Sequence, residues 1–244
     1  MHLLILGCYG PYPPAGGACS GYLVQEDNYT ILLDCGNGVL SRLQHHFDFR
    51  ALKAVIISHL HADHVSDLMI MRYGLEIAFK KGLRSSALPL YAPAEPGEEF
   101  LRLPYKNAYQ VEKINTDVKL QLGPFTVSFC PGVHAVPAYA IKVQSGPKTL
   151  VYSGDTEYHE AIAEFVKGAD LFLCEANYLD EDLQAGLANH LSAAQAAELA
   201  AGNKVKRLIL THHYPERDPA LTLAEAVRYF PTAELAAEDS ELVV

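Results

Sequence analysis

The stretch His59-Leu60-His61-Ala62-Asp63-His64 places four side chains that can bind a metal within six consecutive residues. It follows an apolar run at 54–57, which predicts a buried strand, and precedes an amphipathic pattern at 65–81, which predicts a helix. In an extended loop, residues two apart point to the same side, so His59 and His61 face together. Because imidazoles and carboxylates bind Zn, Mn, Fe or Ni, we expect a metal site in this turn. The alternative is a polar loop with unrelated histidines.

Three more side chains with metal-binding atoms each follow a predicted strand elsewhere in the chain. A single histidine in a loop is usually an ordinary surface residue. Together with the cluster, however, these side chains are candidates to complete the coordination shells, which need ligands from distant parts of the chain. They are His134 after residues 125–129, Asp155 after residues 149–152 and His212 after residues 207–210.

Short apolar runs rich in Val, Ile and Leu recur along the chain, and many are followed by a turn and a helical pattern. This order predicts an α/β protein. Closely spaced runs between residues 118 and 152 predict a second sheet after the one formed by the early strands. Residues 82–115, rich in Pro and mixed charge, predict an irregular insertion with short helical pieces and one strand near residues 88–91.

The composition is typical of one globular domain, with 244 residues, of which 50% are apolar and 20% charged. No apolar stretch approaches the roughly 20 residues that span a bilayer, and no signal-peptide pattern opens the chain. The five cysteines never form a CxxC pair, so we expect reduced thiols, a cytoplasmic protein and no membrane partner. A net charge of -10 disfavours general binding to nucleic acid.

The HxHxDH motif at residues 59–64, followed by single His, Asp and His residues at strand ends, resembles the metallo-β-lactamase superfamily over essentially the whole chain. The family implies an α/β fold, a four-layer αββα sandwich in a single domain (1–244), with 82–115 near the rim of the active site. It also implies two divalent metal ions per chain, expected to be zinc with Mn, Fe or Ni as alternatives. In this scheme His59, His61 and His134 would hold the first metal. Asp63, His64 and His212 would hold the second, Asp155 would bridge both, and a water or hydroxide would lie between them.

The C-terminal third resembles one branch of the superfamily, the ribonuclease Z group of phosphodiesterases. The resemblance lies in Cys174-Glu175-Ala176-Asn177, in residues 189–197 and in Leu208-Ile209-Leu210-Thr211-His212. In that group a histidine before an Ala-rich helix is catalytic and binds no metal. By this resemblance His190 would give a proton to the leaving oxygen, Glu175 would orient or charge its imidazole, and Asp63 is the third expected catalytic residue. An exposed position at the start of a helix is the alternative for His190.

One departure from the ribonuclease Z pattern concerns the long arm with which those enzymes clamp tRNA. The arm lies between the lone metal histidine and the bridging aspartate. Here only 20 residues separate His134 from Asp155, and two predicted strands use most of them. The sequence therefore predicts a short form that lacks the arm.

We expect a binuclear metal-dependent hydrolase, a phosphodiesterase that uses a metal-bridging hydroxide on a small or single-stranded phosphodiester. Two alternatives stay open: a tRNA 3′-processing endoribonuclease, and an acyl hydrolase of thioesters or lactones. Relatives in this family often form dimers, and 82–115 is the natural surface for a homodimer. Tyr9 and Tyr12, in the loop after the first strand, are candidates to stack on a substrate ring or to form a lid.

Overall fold

Fourteen strands build the protein, and a computed structural model describes all 244 residues. In chain order the strands are β1 (His2–Gly7), β2 (Gly21–Glu26), β3 (Tyr29–Leu33), β4 (Ala54–Ile56), β5 (Leu88–Pro93), β6 (Tyr109–Ile114), β7 (Leu120–Leu122), β8 (Phe125–Pro131), β9 (Tyr139–Ser145), β10 (Lys148–Tyr152), β11 (Leu171–Glu175), β12 (Leu208–Thr211), β13 (Glu234–Leu235) and β14 (Glu241–Val243). They form two seven-stranded sheets, with the orders β14-β1-β2-β3-β4-β5-β6 and β13-β12-β11-β10-β9-β8-β7.

Each sheet contains a run of parallel strands. In the first sheet β3, β4, β5 and β6 are parallel, and in the second β10, β11, β12 and β13 are parallel. Parallel strands end at the same edge of a sheet, so the loops that follow them lie side by side. Of the side chains that the sequence analysis selected, those of the motif at 59–64, Asp155 and His212 follow such strands.

The central strands are buried on both faces, which is why their sequences are continuous apolar runs. In β1, Leu3 and Ile5 face the core between the two sheets, whereas Leu4 and Leu6 face the helices outside the first sheet. β11 shows the same alternation in the second sheet. All five cysteines are buried as free thiols.

Helices cover the outer face of each sheet. They are α1 (Val39–His46), α2 (Ala62–Val65), α3 (Leu68–Lys80), α4 (Gly97–Leu101), α5 (Glu160–Val166), α6 (Asp180–Gln184), α7 (Ala193–Gly202) and α8 (Pro219–Ala226), with a short 3₁₀ turn at Phe49–Ala51. Residues of α1 and α3 pack on the first sheet, and residues of α5, α7 and α8 pack on the second. This confirms the predicted four-layer αββα sandwich. None of the helices has the length and apolarity needed to cross a bilayer.

The segment 82–115 is more regular than the sequence indicated, and the prediction of an irregular insertion with one strand was wrong in this respect. It contains β5 and β6, which pair in parallel and extend the first sheet, with α4 between them. The predicted strand near 88–91 is β5. β6 escaped prediction because it is an edge strand whose middle residues are mostly exposed, so it lacks an apolar run.

The helix predicted over 65–81 is two helices. α2 begins at Ala62, inside the histidine motif, and Ser66 and Asp67 separate it from α3. The carboxylate of Asp67 accepts the backbone N–H of Leu40 at 2.8 Å, which ties this junction to the start of α1.

Candidate metal centre

The candidate ligands leave the ends of strands from both sheets. His59 lies just after β4, Asp155 after β10 and His212 directly after β12. The turn that presents Asp155 depends on Gly154, whose φ is +57°, a left-handed conformation that favours glycine. A Cβ at Gly154 would also lie only 2.9 Å from the carbonyl oxygen of Tyr139.

His59, His61 and His134 bring three ring nitrogens together. Nδ1 of His61 lies 3.0 Å from Nε2 of His59 and 3.1 Å from Nε2 of His134. Nδ1 of His134 donates to the carbonyl oxygen of Asn189 at 2.8 Å, so a neutral His134 presents the lone pair of Nε2 to the group. His59 is fully buried, and burial holds its pKa well below the usual value, which keeps the imidazole neutral.

Asp63, His64, Asp155 and His212 form a second group, whose potential ligand atoms all lie within 4.8 Å of one another. Oδ2 of Asp63 lies 3.2 Å from Nε2 of His212 and 3.6 Å from Nε2 of His64. All four side chains are buried or nearly so, with Asp63 the most accessible.

Asp155 lies between the two groups. Its Oδ2 is 3.4 Å from Nε2 of both His64 and His212 in the second group. The same oxygen is 3.6 Å from Nε2 of His59 in the first. Burial by itself would raise the pKa of Asp155, but His212 and His64 outweigh burial and hold that pKa well below its usual range. Asp155 therefore stays ionised and faces both groups.

The residues present fit divalent metal ions. Nε2 of His64 and Oδ1 of Asp155 are buried without any hydrogen-bond partner. Such unpaired buried atoms are rare in folded proteins, because each loses its hydration without compensation. Imidazoles and carboxylates are also the donors that zinc, manganese and iron accept. All seven expected ligands belong to these two groups.

Asp34 is a residue of the site that the sequence analysis missed. It is fully buried at the end of β3 and accepts from the backbone N–H and hydroxyl of Ser58, the hydroxyl of Tyr152 and Nδ1 of His64, each at 2.7 Å. The bond to His64 sets the orientation of that ring. A usable signal was present, since Asp34 follows an apolar strand directly, in the same kind of position as Asp155.

His190 lies beside the second group, with Glu175 behind it. Its Nδ1 is 3.1 and 3.2 Å from the two carboxylate oxygens of Glu175, and its ring stacks on that of His212 with centroids 5.2 Å apart. Burial opposes a charge on His190, but the carboxylate of Glu175 outweighs burial and raises the pKa of His190 to about 9. The side chain is 15% exposed, so the alternative of a solvent-exposed histidine is wrong.

Two further residues hold His212 in place from the side away from the cleft, and the sequence analysis gave neither of them a role. Nδ2 of Asn177 donates to the backbone carbonyls of His212 at 2.9 Å and of Gly10 at 3.0 Å. A Cβ at Gly10 would overlap the imidazole of His212, so the loop after β1 passes too close for any other residue. Of the tyrosines in this loop, Tyr9 packs edge-on against His213 and Tyr12 against Tyr214.

His190 lines a cleft of about 210 Å³ together with five of the seven expected ligands, which are His61, Asp63, His134, Asp155 and His212. A larger cavity of about 600 Å³ lies between the end of α1 and α3, but none of these residues line it, so chemistry rather than volume identifies the site. Pro96, Glu99 and Arg102 line another cavity together with His61. Part of the segment 82–115 thus lines a cavity that shares His61 with the cleft.

Comparisons with known proteins agree with this geometry. A family model described as a beta-lactamase superfamily domain matches residues 29–213. The probable metallo-hydrolase YhfI of Bacillus subtilis is 35% identical over 213 residues, which cover 87% of this chain and 86% of the relative. The crystal structure of the metallo-beta-lactamase fold protein YhfI matches with a TM-score of 0.94 at 32% identity, covering 99% of this chain and 98% of that one.

Relatives named for RNA processing are more distant. A ribonuclease Z of Bradyrhizobium diazoefficiens is 28% identical over 300 residues of alignment, covering 99% of each chain. The short form of human tRNase Z shares the fold, with a TM-score of 0.78 at 20% identity, covering 100% of this chain and 99% of that one. The chain thus belongs to the metallo-β-lactamase superfamily and is a metal-dependent hydrolase.

Proposed function

We propose that this hydrolase is a phosphodiesterase with two metal ions that acts on a small or single-stranded phosphodiester. The observation that carries the proposal is that His190 lies beside Asp155 in the cleft and is paired with the buried carboxylate of Glu175. Cleavage of a phosphodiester releases an alkoxide, which is a poor leaving group and needs a proton donor. A buried histidine held by a carboxylate next to the ligand groups suits that role.

Each ligand group would hold one ion: His59, His61 and His134 the first, and Asp63, His64 and His212 the second. Asp155 would be shared, because its Oδ2 lies within 3.9 Å of nitrogens in both groups. Divalent ions bound there would supply water with a lowered pKa and would offset the negative charge of a phosphoryl group. The imidazole-rich set favours zinc, with Mn, Fe and Ni as alternatives.

The protein's own residues would handle the proton of the leaving group. Glu175 engages Nδ1 of His190, so Nε2 is the nitrogen that can give a proton to the leaving oxygen. Glu175 also stabilises the charged imidazolium before the transfer. The backbone N–H of Thr156 donates to Glu175 at 2.7 Å and keeps this carboxylate in place.

A tRNA precursor fits the chain less well as a substrate. Between His134 and Asp155 the chain forms the paired strands β9 and β10, in which Ser145 opposes Lys148 across a tight turn. This segment contains no extended arm. The net charge of -10 also works against a ligand whose binding depends on neutralising phosphates.

An acyl hydrolase would differ from a phosphodiesterase in its need for His190. A thiolate leaves without a proton, so a buried histidine and carboxylate pair contributes little to thioester cleavage. The loss of activity in a His190 variant therefore separates phosphodiester cleavage from thioester cleavage.

The test combines metal analysis with two diesters on one preparation. We expect about two metals per chain by plasma emission spectrometry, and hydrolysis of both bis(4-nitrophenyl) phosphate and thymidylyl-thymidine. His190→Ala should lose about 10²- to 10⁴-fold on the dinucleotide and much less on the nitrophenyl ester, whose leaving group needs little protonation. His45→Ala, an exposed histidine at the end of α1, is the matched control. Absence of metal after reconstitution, or of diester cleavage by the wild type, would rule the proposal out.

A further inference from the structure

A cavity of about 400 Å³ adjoins the cleft on the far side of His190. The two spaces share Pro11, Tyr178 and His190 as lining residues. A volume of this size lies within the range of small-molecule sites, which is about 300–1,000 Å³. The group on the far side of a leaving oxygen at His190 would therefore extend into this cavity.

Aromatic rings and an apolar side chain form the walls of the cavity. The ring of Tyr178 stands edge-on to His190, with centroids 5.2 Å apart and planes at 85°. Tyr214 contributes a second ring, and the guanidinium of Arg217 lies 5.6 Å from its centroid. Leu187, 49% exposed, adds an apolar side chain to the lining. Flat rings and a guanidinium plane are surfaces on which another planar group stacks.

The charge of Arg217 is already compensated within the protein. Its guanidinium pairs with the carboxylate of Asp182 and donates to the carbonyl oxygen of Asn177 at 2.5 Å. These contacts hold the guanidinium plane in place and leave the cavity without an unpaired positive charge. The cavity therefore favours a neutral planar group over a second phosphate.

We propose that this cavity is the subsite for the leaving group and that it binds a planar aromatic ring against Tyr178, Tyr214 and Arg217. The inference rests on the proposed function, because it takes His190 as the residue that protonates the leaving oxygen. A nucleobase and a simple aryl ring both have the required chemistry. The leaving portion of the substrate is thus an aromatic-bearing alcohol or phenol, rather than a small alkyl group.

Titration of 2-aminopurine riboside with the metal-loaded protein tests the subsite, since stacking on a tyrosine quenches the fluorescence of this probe. The wild type should quench it saturably. Tyr214→Leu keeps apolar bulk but removes one stacking surface, so its Kd should rise about tenfold. Leu187→Ser, at an exposed position where folding is insensitive, should weaken binding severalfold. Tyr229→Leu is the matched control, because Arg228 lies 5.7 Å from the Tyr229 ring and neither residue lines this cavity.

Competition identifies which aromatic group is preferred. Displacement of the probe by adenosine alone would indicate a nucleobase, and displacement by 4-methylphenol as well would indicate aromatic rings in general; both results support the subsite. No saturable quenching by the wild type, or equal affinity in Tyr214→Leu, would overturn it. Because the probe contains no phosphorus, binding without diester cleavage would leave the subsite standing and remove the proposed function. Cleavage of the diesters without binding of the probe would support the proposed function and overturn the subsite.

Discussion

Nδ1 of His64 is bonded to Asp34, and this contact decides what the other ring nitrogen can do. Oδ2 of Asp34 lies 2.7 Å from Nδ1 and holds the proton there, so Nε2, beside Asp63 and Asp155, is the nitrogen that a metal would bind. Residues that fix the tautomer of a ligand in this way contribute to metal affinity without touching the metal. Asp34 is therefore a positioning residue of the proposed centre.

Asp34→Asn should lower metal affinity by about 10- to 100-fold, because an amide of the same size cannot accept from all four donors. Competition with a chromogenic chelator measures the change. Asp27→Asn, an exposed turn residue with a φ of +52° that asparagine tolerates, is the control. An unchanged affinity in Asp34→Asn would show that this carboxylate serves folding alone.

Glu175 and His190 should act as one unit. Glu175→Gln keeps the shape of the side chain but cannot stabilise the imidazolium, so we expect kcat for thymidylyl-thymidine to fall by about tenfold or more. If the two residues work together, Glu175→Gln should add almost nothing to the loss already caused by His190→Ala. Glu181→Gln, exposed on α6, is the control. Additive losses in the double variant would contradict the assignment.

At the scale of elements, the segment 180–194, which carries His190, is held at both ends by one carboxylate. Glu225 of α8 accepts the backbone N–H of Asp180 at 3.2 Å, at the start of α6, and that of Ala194 at 3.0 Å, in the first turn of α7. The hydroxyl of Ser192 also donates to Asp180 at 2.6 Å. The beginnings of the two helices on either side of the loop are thus held together.

Glu225→Ala should lower the free energy of unfolding by about 1–2 kcal/mol, because it leaves free N–H groups at the starts of two helices. Urea denaturation followed by circular dichroism measures this loss. Glu198→Ala, at an exposed position of α7, should change stability little. If both variants unfold at the same urea concentration, the contacts of Glu225 with the two helix starts do not contribute to the free energy of unfolding.

Elements buried on both faces were predictable because their apolar runs are continuous, as in β1 and β11. β6 and the two-residue β13 were not, since edge and very short strands have no such run. The motif at 59–64 and the residues after strands indicated the site, and their role as ligands stays a prediction. The position of Asp34 directly after a strand was a signal that the analysis did not use, although its contact with His64, 30 positions away, was not visible in the sequence. Asn177 escaped because its contact with Gly10 joins residues 167 positions apart, which no local pattern reports.

At the scale of the whole molecule, the proposed metals would join the two sheets. The motif at 59–64 follows β4 of the first sheet, whereas Asp155 and His212 follow strands of the second. Ions bound across this boundary would stabilise the folded chain by mass action, since the unfolded chain lacks the assembled site.

Removal of metal with EDTA should therefore lower Tm by about 5–10 °C, and two equivalents of zinc should restore it. Differential scanning calorimetry measures both steps. Asp155→Ala, which lacks the shared carboxylate, should respond little to EDTA. A wild-type Tm indifferent to EDTA and zinc would speak against metals at the boundary between the sheets.

Because the proposed centre lies between the two sheets, its residues are synthesised at different times. A ribosome releases the histidine motif first, long before His134, Asp155, Glu175, His190 and His212. Until those later residues have folded into the second sheet, the early histidines lack the partners that a hydrolytic centre requires. A nascent chain would therefore lack hydrolytic activity until the last parallel strands have joined the second sheet.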